Sequence, residues 1–250
     1  MRHLLSRTCD GVLAALMARE PLVAFDFDGT LAPLVERPSM ARLEPDTAAR
    51  LKRLAGLVPV VVISGRAVSD LAPRLDGIPV AGVTGNHGLE PWGATPEIEQ
   101  LVNGWAESLT RRFGHLPGIE FEHKRWSLTV DYRHVPDLAG TEKALAQFAK
   151  TLPSARVLGG RHADLNLAPA GEHNKGTALE SHLRALNRSA ALYVGDDRTD
   201  EDAFGHPLEQ LVSVRVGQKA GSRAQFFLHE QSEVDRLLDA LLTLAPTQAG

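Results

Sequence analysis

Two aspartates, Asp26 and Asp28, close the apolar stretch "VAFDFDGT", two residues apart. In an extended chain that spacing puts both carboxylates on one face. Like charges so close repel and lose hydration unless a cation lies between them. Such a pair suits phosphoryl transfer: one carboxylate can attack phosphorus, while the other protonates the leaving group and then activates water. Further polar groups could complete the site, namely Thr30, the run Ser64-Gly65-Arg66, the run Gly85-Asn86-His87-Gly88, Lys175, and the acidic run from Gly195 through Asp196 and Asp197 to Asp200. Taken singly, each has an ordinary reading as a turn former, helix cap, solvated lysine or helix-entry acidic pair. Taken together, the carboxylates make a hard-oxygen set that suits Mg²⁺. The serine, the lysine and nearby backbone N–H groups would hold phosphate oxygens.

The elements that must position these groups alternate between short apolar runs and helical patterns, which predicts an α/β fold: a Rossmann-like, doubly wound, mainly parallel sheet. Strands are expected at 22–27, 58–63, 80–84, 191–194 and 212–216. Helices are expected at 46–55, 67–75, 175–186 and 232–242, the last capped by Ser232. A shorter amphipathic helix through Val12–Met17 leads into the first strand. All five polar groups fall at strand ends or a helix start, on the rim where open parallel sheets bind ligands. Residues 91–169 break the rhythm as helix, strand, strand, helix, strand, strand, with helices at 98–113 and 138–152. Strand segments are expected over 119–133, 157–159 and 163–167, with a Gly159-Gly160 turn between the last two. This block reads as a smaller α+β cap inserted into a core made of residues 1–90 and 170–250.

"DFDGT", "SGR", Lys175 and "GDDRTDEDAF", in that order, resemble the haloacid dehalogenase superfamily of phosphotransferases. "GNHGLE" at Gly85–Glu90 and the acidic run are similar to trehalose-6-phosphate phosphatases in particular, and the resemblance covers nearly the whole chain. It implies Asp26 as nucleophile, Asp28 as general acid and base, and Lys175 as a catalytic partner. Thr30, Ser64 and Lys175 would bind the phosphoryl group. Mg²⁺ would be held by Asp26, the backbone carbonyl of Asp28 and Asp196, with Asp197 and Asp200 in support. Substrate contacts would come from Arg66, Asn86, His87 and Glu90 on the core, and from Glu122, Lys124 and Asn166 on the cap. The sequence departs from the family at Ala168, where a basic residue is common, and at Asp131, where histidine is frequent.

Composition excludes other classes. The net charge of −4, with basic residues scattered, gives no electrostatic case for nucleic acid or an anionic membrane. No apolar stretch is long enough to span a bilayer. The single cysteine, Cys9, permits no internal disulfide and fits a reducing compartment. The expected protein is a cytoplasmic, monomeric trehalose 6-phosphate phosphatase with a small-molecule partner. The alternatives are a phosphatase for another sugar phosphate, such as sucrose phosphate or glucosyl-phosphoglycerate, and a non-catalytic sugar-phosphate binding domain.

Overall fold

A computed structural model of the chain describes residues 1–9, 11–158 and 163–246. The core elements before the insertion are β1 (Arg2–His3), α1 (Val12–Met17), β2 (Leu22–Phe25), α2 (Pro45–Ala55), β3 (Val60–Ile63), α3 (Val68–Leu71) and β4 (Gly82–Thr84). The inserted run holds α4 (Pro96–Phe113), β5 (Glu120–His123), β6 (Leu128–Asp131), α5 (Leu138–Ala149), β7 (Ala155–Val157) and β8 (Asp164–Pro169). The chain then returns through α6 (Lys175–Ala185), β9 (Ala191–Gly195), α7 (Glu201–Phe204), β10 (Leu211–Val216), β11 (Phe226–Leu228) and α8 (Glu233–Leu244).

The core sheet is parallel throughout, in the order β1-β11-β10-β9-β2-β3-β4. Its central strands are buried on both faces, which is why "LVAF", "VVVI" and "ALYVG" read as unbroken apolar runs. Alternate residues serve opposite layers. Val23 and Phe25 pack with α1, α2 and α8, whereas Leu22 and Ala24 pack with α6 and α7. Helices on both faces make the sheet doubly wound, and β2, the strand that leads to Asp26, lies between β9 and β3.

The second sheet is antiparallel, in the order β5-β6-β8-β7. Here the side chains alternate cleanly. Leu128, Val130, Leu165 and Leu167 face α4 and α5, against Trp105, Leu109 and Leu145. Ser127, Thr129, Asp131, Asp164, Asn166 and Ala168 occupy the other face. The α+β block expected between the two halves of the sequence thus folds around a core of its own.

Several expectations change in detail. β2 ends at Phe25, so Asp26 and Asp28 lie beyond the strand, where the chain enters a turn with Thr30 N and Ala32 N both bonded to Phe27 O. Ser232 does not cap α8, because its backbone is already helical and its hydroxyl bonds Glu230 instead. Glu233 reaches back to His229 N at 2.7 Å. The stretch 119–133 is a hairpin, turned by Arg125 at φ 67°. The expected Gly159-Gly160 turn lies outside the described residues. β1 and β11 have only two and three residues, too short for periodicity to find. Among the described residues no helix is long and apolar enough to cross a membrane.

Helix α6 is tied to the sheet by His182, whose Nε2 lies 2.8 Å from the Thr84 hydroxyl. Burial lowers the His182 pKa to about 4, against an unfolded value near 6.5. The unfolded chain therefore binds the extra proton first as pH falls, and stability drops between roughly pH 6.5 and 4. This group alone should cost about 2–3 kcal/mol over that window. His182→Gln keeps a partner for Thr84 and cannot titrate, so urea unfolding across this range should show a correspondingly flatter loss. Equal pH slopes in variant and wild type would refute the assignment.

Candidate active site

The carboxyl ends of β2, β3, β4 and β9 and the start of α6 bring the predicted groups to one rim. Asp26 continues the line of β2, with its N–H on Val194 O, and its Oδ1 accepts from Phe27 N at 2.7 Å. Its Oδ2 lies 3.0 Å from Lys175 Nζ. Lys175 is no surface lysine: it is 2% exposed and also donates to Asp200 Oδ1 at 2.7 Å. Asn174 caps α6 and so fixes the lysine at the first helical position. Burial works against the Lys175 charge, but Asp200 and Asp26 outweigh it and raise its pKa.

Asp200 spends its whole carboxylate on structure. Oδ1 takes Lys175 and the Tyr193 hydroxyl, at 2.8 Å; Oδ2 takes the N–H groups of Asp196 and Asp197, at 2.9 and 2.8 Å. A Cβ on Gly195 would come within 2.3 Å of Asp200 Cγ, so the strand can end here only as glycine. Arg215 donates to the carbonyls of Asp196 and Asp197, fixing the acidic loop from the other side. Tyr193 and Arg215 are positioning residues that the sequence reading missed. Both sit on buried strands that read as plain core, Tyr193 on β9 and Arg215 on β10.

Asp26, Asp196 and Asp200 each offer a carboxylate oxygen within 4.8 Å of the others. Burial, then Asp200, Asp196 and Asp28, push the Asp26 carboxyl well above its ordinary value against the pull of Lys175. Among these ionised groups three carboxylates face one lysine. That donor set fits a divalent cation with a preference for oxygen. Beside it, the buried Thr30 hydroxyl has no partner among the described residues. Ser64 is buried and accepts from Arg66 N at 3.2 Å; the position before α3 is Ala67, so Ser64 does not cap that helix. Neither hydroxyl donates a hydrogen bond among the described residues. Gln231, at the foot of α8, holds the turn below by donating to the carbonyls of Thr30 and Leu31.

Arg66 departs from its expected place on the substrate. Its Nε and Nη2 grip both oxygens of Asp28 at 2.7 Å, Nη1 bonds Asp70 at 2.6 Å, and Nη2 also bonds Pro38 O. It is a fixture for Asp28. The cation that Asp28 needs is thus supplied by Arg66, and that of Asp26 by Lys175.

The loop 85–90 faces the inserted sheet. Glu90 Oε2 accepts from Val68 N and from the Asn86 amide, while Asn86 Oδ1 accepts from Ser127 at 2.6 Å. Asn86 and Glu90 therefore build the loop, and Asn86 bridges the two sheets. His87, at φ 58°, lies over Gly65, where a Cβ would come within 2.4 Å of its ring. Burial, then Lys124 and Lys175, hold His87 neutral, well below its ordinary value. Lys124 lies 3.4 Å from the exposed Glu122. Asn166 accepts from Thr129 and donates to Asp164, so its amide is engaged within the cap sheet.

Removing Lys175 would leave Asp26 and Asp200 buried without their shared cation. Lys175→Met should destabilise the fold by about 3–5 kcal/mol, read from urea unfolding. Millimolar Mg²⁺ should recover part of the loss. A variant as stable as wild type in EDTA would show that the lysine does not hold this cluster together.

Comparison with known proteins follows the same lines. Residues 24–232 match the profile described as trehalose-phosphatase. The trehalose-phosphate phosphatase of Mycobacterium tuberculosis is 37% identical over 262 positions, covering 96% of this chain and 66% of that protein. The chain thus spans just under two thirds of that relative. Among solved structures, the C-terminal domain of the Candida albicans trehalose-6-phosphate phosphatase superposes with a TM-score of 0.73 at 23% identity, covering 98% of this chain and 99% of that one. A sugar phosphatase of HAD subclass IIB gives 0.62 at 14% identity, covering 88% and 98%. These two likenesses concern the fold, which is of the HAD type, while the profile and the sequence identity concern descent: the chain belongs to the trehalose-phosphatase family.

Proposed function

We propose that this chain is a Mg²⁺-dependent cytoplasmic phosphatase that hydrolyses trehalose 6-phosphate to trehalose and phosphate through an aspartyl-phosphate on Asp26. The observation that carries the reading is the buried cluster of Asp26, Lys175 and Asp200 beside the unpartnered Thr30 hydroxyl. The choice of substrate is supported by the 37% identity to a trehalose-phosphate phosphatase. The lone buried Cys9 is in keeping with a reducing compartment.

The chain's own groups divide the work. Asp26 attacks phosphorus, the bond from phosphorus to the sugar oxygen breaks, and Asp28 gives that oxygen a proton. Asp28 then takes a proton from water as the water oxygen attacks phosphorus, which releases phosphate and frees Asp26. To do this Asp28 must turn from Arg66 toward the substrate. Asp70 and Pro38 O keep Arg66 in place meanwhile. Lys175, Ser64, Thr30 and backbone N–H groups hold the phosphoryl oxygens, since this chemistry depends chiefly on positioning and charge. Asp26, Asp196 and the Asp28 carbonyl would hold Mg²⁺, which when bound neutralises charge on the phosphoryl oxygens. Residues 91–169 form the cap that closes over the sugar and excludes water.

Asp26→Asn keeps the shape and removes the nucleophile. Phosphate release from every substrate in a sugar-phosphate panel should fall by roughly a thousandfold or more. EDTA should abolish wild-type turnover, and Mg²⁺ should restore it. Residual activity of a few per cent in contaminant-free variant would contradict the covalent route.

Lys124 is read as a sugar ligand. Losing a hydrogen bond from a charged donor costs on the order of 1.5–3 kcal/mol, or roughly ten- to a hundredfold in kcat/KM. Lys124→Ala should show that loss on trehalose 6-phosphate and leave p-nitrophenyl phosphate nearly unchanged. Equal losses on both would assign the lysine to cap folding or closure instead.

A further inference from the structure

Among the described residues, Arg156 is a cation that folding leaves without an anion. It sits on β7, directly opposite Ala168 on β8. Directly opposed residues share a face, and here the two ladders β6–β8 and β7–β8 set that face. Thr129 and Asn166 are hydrogen-bonded on it, Ala168 follows two residues later, and Ser127, two residues before Thr129, meets Asn86 of the core. Arg156 therefore stands on the polar side of the cap sheet, away from the apolar side packed on α4 and α5. Its neighbour across the ladder is an alanine, which adds no side chain beyond Cβ to fill the space. The guanidinium carries five N–H donors. Among the described residues its one hydrogen bond runs from Nη2 to His173 O, at 3.1 Å. No carboxylate pairs with it there, and Nε has no acceptor. A partly buried cation left in that state is costly unless oxygen acceptors reach it. Its charge acts on His87, as do those of Lys124 and Lys175, so all three cations lie within electrostatic reach of that ring.

We propose that Arg156 is a specificity-determining residue: its guanidinium binds hydroxyl oxygens on the sugar part of the substrate, from the β7 position that faces Ala168. The assignment rests on the sugar-phosphatase reading above and adds to it a residue outside every motif in the sequence. A planar fork of donors suits two neighbouring oxygens on one ring better than a point charge does. The tie to His173 O anchors the side chain at the return from cap to core and leaves its other donors without an acceptor among the described residues.

Binding is measured by calorimetry in Asp26→Asn enzyme with Mg²⁺, which separates recognition from turnover. Arg156→Ala should weaken trehalose 6-phosphate by about ten- to a hundredfold and leave inorganic phosphate unchanged. Opposed Cβ atoms lie roughly 4.5–5.5 Å apart, so adding Ala168→Arg should restore much of the sugar-phosphate affinity from the facing strand. Where the alanine variant fails to fold, Arg156→Lys keeps the charge without the fork and should lose affinity for the sugar phosphate alone. Equal weakening of both ligands would overturn the proposal and leave Arg156 as a structural tie to His173. Unchanged affinity for both would overturn it as well. If wild-type enzyme hydrolyses a different sugar phosphate, the choice of trehalose falls, and the same comparison on that compound still decides the role of Arg156. A protein that binds inorganic phosphate but no sugar phosphate would sink both.

Discussion

The shared cation at the centre of the core is the constraint on which the rest depends. Lys175 bridges Asp26 and Asp200 with almost no solvent, and a buried ion pair is tolerable only when every remaining lone pair and proton is satisfied. The surrounding structure supplies that satisfaction in detail. Phe27 N, Tyr193 OH and two backbone N–H groups complete the carboxylates, while Gly195 lets Asp200 approach the end of β9. The central position of β2 follows from the same need, because β3 and β9 must flank it to bring their own loops to Asp26. Desolvation that would be ruinous for a lone carboxylate becomes useful once a phosphoryl group and a cation can enter, since charge interactions strengthen where water is excluded.

Asp28 is governed differently. It is only partly buried, and a guanidinium rather than an ammonium holds both of its oxygens. The chain of ions continues from Arg66 to Asp70 and on to Arg74, at 2.6 and 2.7 Å. A fork anchored at its far end can release one carboxylate without losing its own position. Asp26 is locked among buried partners while Asp28 is held at a half-exposed position, and the two environments differ in that sense.

Much of this was legible in the residues. Unbroken apolar runs marked the buried parallel strands, and the broken rhythm of residues 91–169 marked a block built on a different plan. The order of the polar clusters located the rim. What stayed hidden was set by distance across the fold. Nothing local in "SGR" tells that Arg66 turns back to Asp28 rather than out to a ligand. Gln231 meets Thr30 from 201 residues away, and Tyr193 reads as core until Asp200 is seen beneath its hydroxyl. The end of β2 misled for a local reason: Asp26 keeps its ladder bond to Val194 O, so the strand pattern persists one residue past the point where the chain turns.

The alternation that folds the cap also equips it. Each residue that places a leucine or valine against α4 and α5 obliges its neighbour to face the core, and at those neighbours the sequence carries serine, threonine, asparagine and charge. Most of these groups satisfy one another within the sheet, as Thr129, Asn166 and Asp164 do, or pair along it, as Asp131 and Arg133 do. Internal pairing rigidifies the sheet and takes those side chains out of recognition. The donors that remain, on Lys124 and Arg156, lie toward the hinge end of the sheet, near His87 and Lys175 of the core. At the opposite end Glu120, Asp131 and Asp164 stand in one cross-strand row. The two ends of one sheet thereby differ in charge, with Lys124 and Arg156 at the end nearer His87 and Lys175.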